Sequence, residues 1–215
     1  MTRVLIFTYA TSEELDVERL EKLNESYIRD LYRSRSILSR IFSRKPDYEV
    51  IFLETGLGKL NSYRILNSVL LKFKPSDWIT VINLGVVGSE LVEIGEIVEC
   101  GRFIDVDMML FDSSSDWTLV KEDNKISCNS RDMLICNMDD SFQRRDGWKV
   151  VCDSEAYGQV LCCEEIGATF KAFKFVSNKF TENVLEERMK MMPKACESLT
   201  KLASRYLYNF YYAKL

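Results

Sequence analysis

The residues best suited to chemistry on a small ligand sit where apolar runs end. Asp153-Ser154-Glu155-Ala156 places acids where a strand gives way to a helix. A carboxylate there can accept hydrogen bonds from two adjacent hydroxyls, as a sugar diol offers. The same residues serve equally well as a helix start, with Asp153 as cap and Glu155 as an ordinary first-turn acid. Ser177-Asn178 closes another apolar run and suits either a hydrogen-bonded heterocycle or an Asx turn. In Asn83-Leu84-Gly85-Val86-Val87-Gly88, two glycines three apart follow an apolar strand and would let a flat ligand lie close to the backbone. Gly56-x-Gly58-Lys59 could offer amides to an anion or a sugar hydroxyl. It lacks the third glycine of a dinucleotide fingerprint and the spacing of a P-loop, so a plain strand-to-helix turn is its favoured reading.

Composition removes several mechanisms. The 215-residue chain contains no histidine, which excludes an imidazole base, a Ser–His pair and histidine metal ligands. Its seven cysteines are odd in number and irregular in spacing, so they read as buried thiols in a reducing cytosol rather than as a disulfide framework or zinc site. A net charge of −4 does not by itself imply nucleic acid or membrane. No apolar run approaches the roughly 20 residues of a membrane span, and the expected location is cytoplasmic. Arg29, Arg33, Arg35, Arg40, Arg44 and Lys45 outnumber Asp30 in one stretch. The favoured reading is a solvated helix face; the alternative is an anionic partner such as RNA or a phosphorylated ligand. Tyr206, Tyr208, Phe210, Tyr211 and Tyr212 read as terminal-helix packing.

The elements that must position these residues alternate. Strands are predicted at 4–9, 48–53, 78–84, 95–100 (continuing through 103–104), 149–152 and 170–177. Helices are predicted from a Thr11 or Ser12 cap to about 42, at 61–73, at 155–166, and from 181 to about 215 with a break near Pro193. The polar stretch 111–124 reads as a loop. This order predicts a single α/β domain over 1–215, with a mostly parallel mixed central sheet flanked by helices. In such sheets ligands gather at the carboxyl ends of the strands.

Taken in order, the segments Thr55-Gly56-Leu57-Gly58-Lys59, Ile82-Asn83-x-Gly85-x-x-Gly88, Ile94-Gly95-Glu96-Ile97-Val98, Ser130-x-Asp132-x-Leu134-Ile135, Asp153-Ser154-Glu155-Ala156 and Phe175-Val176-Ser177-Asn178 resemble the nucleoside phosphorylase/nucleosidase family. Within it they are most similar to the methylthioadenosine/S-adenosylhomocysteine nucleosidases. The resemblance implies hydrolysis of the N-glycosidic bond of a purine nucleoside, either methylthioadenosine/adenosylhomocysteine-type or a 6-oxopurine nucleoside. It also implies a homodimer or larger homo-oligomer, with no metal and no organic cofactor.

Position by position, the resemblance assigns Glu155 to the ribose hydroxyls and lays Gly88 and Val87 along the purine. Leu134 and Ile135 take the places of an aromatic and an aliphatic residue around the base. Glu13 aligns with the water-activating glutamate, one residue from Glu14, and Asn178 stands where the family has the acid that protonates purine N7. Leu57, Val86, Ser154 and Ser177 complete the expected substrate contacts. Two residues depart from the pattern: Asn178 cannot act as an acid, and Val86 replaces a small polar residue. No arginine stands just before Asn83 or near Gly56, which favours water over phosphate as the attacking group. A phosphate-dependent purine nucleoside phosphorylase and a non-catalytic nucleoside-binding homologue are the alternatives.

Overall fold

The computed structural model describes residues 1–33, 47–109, 118–121, 124–132, 147–181 and 183–212. Its elements run β1 (Thr2–Tyr9), α1 (Val17–Arg33), β2 (Asp47–Glu54), α2 (Lys59–Leu70), β3 (Trp78–Gly88), β4 (Ile97–Cys100), β5 (Arg102–Asp105), α3 (Val106–Met109), β6 (Thr118–Val120), β7 (Ile126–Ser130), β8 (Lys149–Asp153), α4 (Ala156–Ile166), β9 (Thr169–Asn178) and α5 (Val184–Tyr212). The expected α/β architecture is present. Most pairings in the nine-stranded sheet are parallel; β3 with β8, β4 with β9 and β5 with β6 are antiparallel.

Alternation along the buried strands divides the core in two. Val4 and Ile6 pack with Leu66, Leu70, Val160 and Cys163 under α2 and α4. Leu5, Phe7 and Tyr9 pack with Leu20 of α1 and with Met192, Ala195, Leu199, Ala203 and Leu207 of α5, whose three- and four-residue spacing makes one helical face. With helices covering both sides, β1 and β3 carry long apolar runs (Val4–Phe7 and Val81–Ile82 with Leu84–Val87) rather than polar alternation, and β9 is buried throughout its second half despite Lys174.

The site is positioned by a fork in the sheet. β9 follows one edge of β3 from Thr80 to Gly88. The other edge is held by β1 as far as Asn83, and then by β8 through a single pairing of Gly88 with Cys152. The carboxyl ends of β3, β8 and β9 therefore converge beside Gly88.

Four local expectations change. Residues 11–14 form a turn, with Glu14 N–H donating to Thr11 O at 3.0 Å, and the helix begins only at Val17. Its cap is Asp16, whose Oδ1 accepts Arg19 N–H at 3.0 Å; Asp16 immediately precedes the apolar period through Leu20, so it outcompetes Ser12. The strand expected from 95 through 104 divides at Gly101 because β4 and β5 pair with different neighbours. Thr118–Val120, inside the expected loop, pairs with β5. Helix α5 continues through Pro193. Pro193 and Met189, whose carbonyl loses its helical donor, are both exposed, so water can satisfy it.

The terminal-helix aromatics pack as expected: Tyr206 on Phe173, Phe210 and Tyr211 on Tyr48, and Tyr208 on Tyr27. Of the basic stretch, Arg29 lies on α1, 3.8 Å from Glu25. Arg35, Arg40, Arg44 and Lys45 lie outside the described residues, as do Leu134 and Ile135. No helix among the described residues is long and apolar enough to cross a membrane.

Candidate active site

The cleft at the fork is lined by Leu57, Val86, Val87, Gly88, Ser154, Glu155 and Asn178, all anticipated from sequence, and by Cys152, Asp153, Phe180, Val184, Leu185 and Arg188, which were not. Ser177 lies behind the wall. It is buried, with its Oγ 3.2 Å from Val87 O and 2.7 Å from Asn178 Oδ1.

At the helix start, the two readings of the acidic tetrad prove compatible. Asp153 is the cap: its Oδ2 accepts Ala156 N–H at 2.9 Å, and its Oδ1 accepts Ser130 Oγ at 2.6 Å. Glu155 is thereby left free of the capping role. It is 7% exposed, and Gly58 N–H donates to its Oε1 at 3.3 Å. Burial, with smaller contributions from the Asp153 and Glu14 charges, pushes the Glu155 carboxyl up to about 7.

Below this pair lies Lys174, 1% exposed, donating to Asp153 Oδ2 at 2.7 Å. Burial lowers its pKa, but the Asp153 charge and hydrogen bond, together with the Cys128 and Glu155 charges, more than offset that and raise it; Asp153, in turn, is held below its usual value despite burial. Both partners are charged. Lys174 stands in register with Gly85, and a Cβ at Gly85 would lie 3.1 Å from Lys174 Nζ.

The paired glycines also make room for the protein's own side chains, while Gly88 lines the cleft as expected. Their bare faces receive the protein's own groups: Lys174 at Gly85, and at Gly88 both Phe180 and Asn178, whose Cε1 and Nδ2 would lie 2.7 and 2.9 Å from an added Cβ.

The turn after β1 decides between the two glutamates. Neither glutamate is among the residues that line the cleft, and Glu13 is exposed. Glu14 is 1% exposed, with Ala10 N–H donating to Oε2 at 2.8 Å and Val86 N–H to Oε1 at 3.2 Å. Arg188 reaches Oε1 at 3.6 Å. Burial raises the Glu14 pKa, opposed by those amides and by the Lys174 and Arg188 cations. Ala10 and Val86 hold this carboxylate behind the cleft wall, of which Val86 and Arg188 are part. The sequence held no periodicity at 10–16 from which to choose between adjacent acids, and a single Arg188 on a long helix carries no pattern.

Two further groups frame the mouth. Lys59 Nζ binds Asp105 and Asp107 at 2.6 and 2.7 Å, tying the start of α2 to the end of β5. Asn178 Nδ2 donates to Lys179 O at 2.9 Å, which leaves one amide hydrogen for a ligand.

No protein-family model matches the sequence, and no curated protein does. Solved structures do. An S-adenosylhomocysteine nucleosidase from Streptococcus pyogenes, in complex with 5-methylthiotubericidin, superposes with a TM-score of 0.71 at 15% identity, covering 97% of each chain. A mutant Helicobacter pylori nucleosidase, with 5'-methylthioadenosine in its active site, gives 0.68 at 13% identity, covering 97% of this chain and 99% of that one. Futalosine hydrolase of Helicobacter pylori gives 0.66 at 16%, covering 95% and 97%. Over nearly its whole length, this chain has the fold of those nucleosidases.

Proposed function

We propose that the protein hydrolyses the N-glycosidic bond of a purine nucleoside. The observation that carries this reading is a pair of buried carboxylates from different elements: Glu155, which lines the cleft that also presents the Asn178 amide, and Glu14, which lies behind its wall on the Val86 N–H and beside Arg188. Glu155, once ionised, accepts the two ribose hydroxyls. Glu14 takes a proton from the attacking water; this role passes to it from Glu13, which is exposed. As the water oxygen bonds to the anomeric carbon, the carbon–nitrogen bond breaks through an oxocarbenium-like sugar. The base leaves with the bonding pair, steadied by the Asn178 N–H, and takes its proton from solvent. An amide that donates and accepts accommodates a 6-oxopurine as well as an adenine-type base. Leu57, Val87 and Ser154 enclose the nucleoside.

The reading calls for no metal or organic cofactor, places the protein in the cytoplasm, and includes a homo-oligomer by analogy with the family. A second reading, nucleoside binding without turnover, is favoured by one observation. The residue beside the base is an amide, and losing a general acid typically costs about 10²–10⁴-fold in rate.

The deciding experiment compares Glu14→Gln with Glu13→Gln in an assay of purine base release. The proposal expects Glu14→Gln to lose at least about 100-fold and Glu13→Gln to stay within about twofold. Equal activities in the two variants would remove Glu14 from the mechanism. Nucleoside binding by the wild type without base release would select the second reading.

A further inference from the structure

We propose that Phe180 is the aromatic face on which the base of the bound nucleoside stacks, so that it determines affinity for the base. This rests on the nucleoside reading above and adds a residue to which neither the sequence nor the resemblance gave a role.

Phe180 lines the cleft with Val86, Val87 and Asn178, and it is half-buried. Among the described residues its ring packs against no other aromatic ring. Its backbone is firmly held: Phe180 N–H donates to Glu90 Oε1 at 2.6 Å. Lys179 Nζ donates to Glu90 O at 3.1 Å and to Val92 O at 2.9 Å. On the strand side, Ser89 N–H donates to Asn178 O at 3.1 Å. A ring pre-positioned in this way loses little freedom when a ligand binds.

The ring and the Asn178 amide meet at a single point. A Cβ at Gly88 would lie 2.7 Å from Phe180 Cε1 and 2.9 Å from Asn178 Nδ2, so any side chain at 88 would displace both. A π face next to an amide with one hydrogen to spare suits a flat heterocycle with a polar edge: the ring covers the face and the amide reads the edge. The resemblance places the family's aromatic at the position of Leu134, where this chain has an aliphatic residue. Phe180 supplies the aromatic surface that Leu134 cannot.

The test is an equilibrium titration in a Glu14→Gln background, which leaves the nucleoside intact, of the otherwise wild-type chain, Phe180→Tyr, Phe180→Leu and Glu155→Ala with adenosine, inosine, adenine and hypoxanthine, with a thermal melt of each variant. Stacking a base on an aromatic ring is strong enough that Phe180→Leu should weaken both nucleoside and free base about tenfold or more, while Phe180→Tyr stays within about threefold. In Phe180→Trp, indole fluorescence should change on adding nucleoside and not on adding ribose. If Phe180→Leu melts normally and binds as the otherwise wild-type chain does, while Glu155→Ala has lost nucleoside, stacking on Phe180 is wrong and the nucleoside site stands. An otherwise wild-type chain that binds none of the four compounds overturns both.

Discussion

Glu155 concentrates the chemistry of the site at the residue scale, and its titration offers a direct check. The carboxyl has an ordinary value of 4.5 and is raised to about 7 in the folded protein, chiefly by burial. Below about pH 4.5 folded and unfolded chains both hold the proton, so burial carries no charge penalty. As pH rises towards 7 the unfolded chain ionises first, and above 7 the folded state carries the full cost of a buried anion. Glu155→Gln should therefore leave stability unchanged near pH 4 and raise it above pH 7, by on the order of 2–3 kcal/mol, in urea melts at the two pH values. Nucleoside affinity should follow the opposite trend in the wild type, strengthening through about pH 7 as the diol's acceptor becomes charged. Glu155 was legible in the sequence because an acid heading a helix after a strand is a recognisable pattern. Glu14 and Glu13 were not separable: one residue's shift in a turn moves a side chain from solvent to full burial, and no hydrophobic period spans 10–16.

Between elements, the site depends on two close contacts. Lys174 and Asp153 join β9 to β8 directly beneath the helix that presents Glu155. Lys174→Met leaves a buried carboxylate unpaired and should destabilise by about 3–5 kcal/mol, while the double variant Lys174→Met/Asp153→Asn recovers much of that in denaturant melts. The contact between α2 and α4 is set by Gly158, where a Cβ would come within 2.3 Å of Lys59 O. Gly158→Ala must push α2 away, carrying Gly58 from its hydrogen bond with Glu155. A loss of about 1–3 kcal/mol in stability, with weakened nucleoside binding, is expected from thermal melts and titration. Neither contact could be read from the sequence. A lysine between Phe173 and Phe175 looks like a solvent-facing strand position until the sheet is known to be covered on both sides. That it faces Gly85 is a fact of register between distant strands.

For the whole molecule, the strand–helix order was legible because strands buried on both faces form unbroken apolar runs, and helices that cover them show three- and four-residue spacing. The division of β4 from β5 and the short β6 were missed because sheet partners, rather than local composition, decide them. The fork at β3 explains why residues from three strand ends and from α5 reach a common cleft: Gly88 pairs with β8 and β9 at once. On the proposed reading, Glu155 and Asn178 in that cleft, with Glu14 buried behind its wall, predict cleavage by water. Purine nucleosides should be incubated with the protein in phosphate-free, oxygen-18 water, and the base and sugar separated and weighed by mass spectrometry. The expected result is equal amounts of free purine and of pentose carrying one heavy oxygen, with neither formed by Glu14→Gln. Recovery of intact nucleosides from the wild type, or base release that begins only on adding phosphate, would contradict hydrolysis at this site.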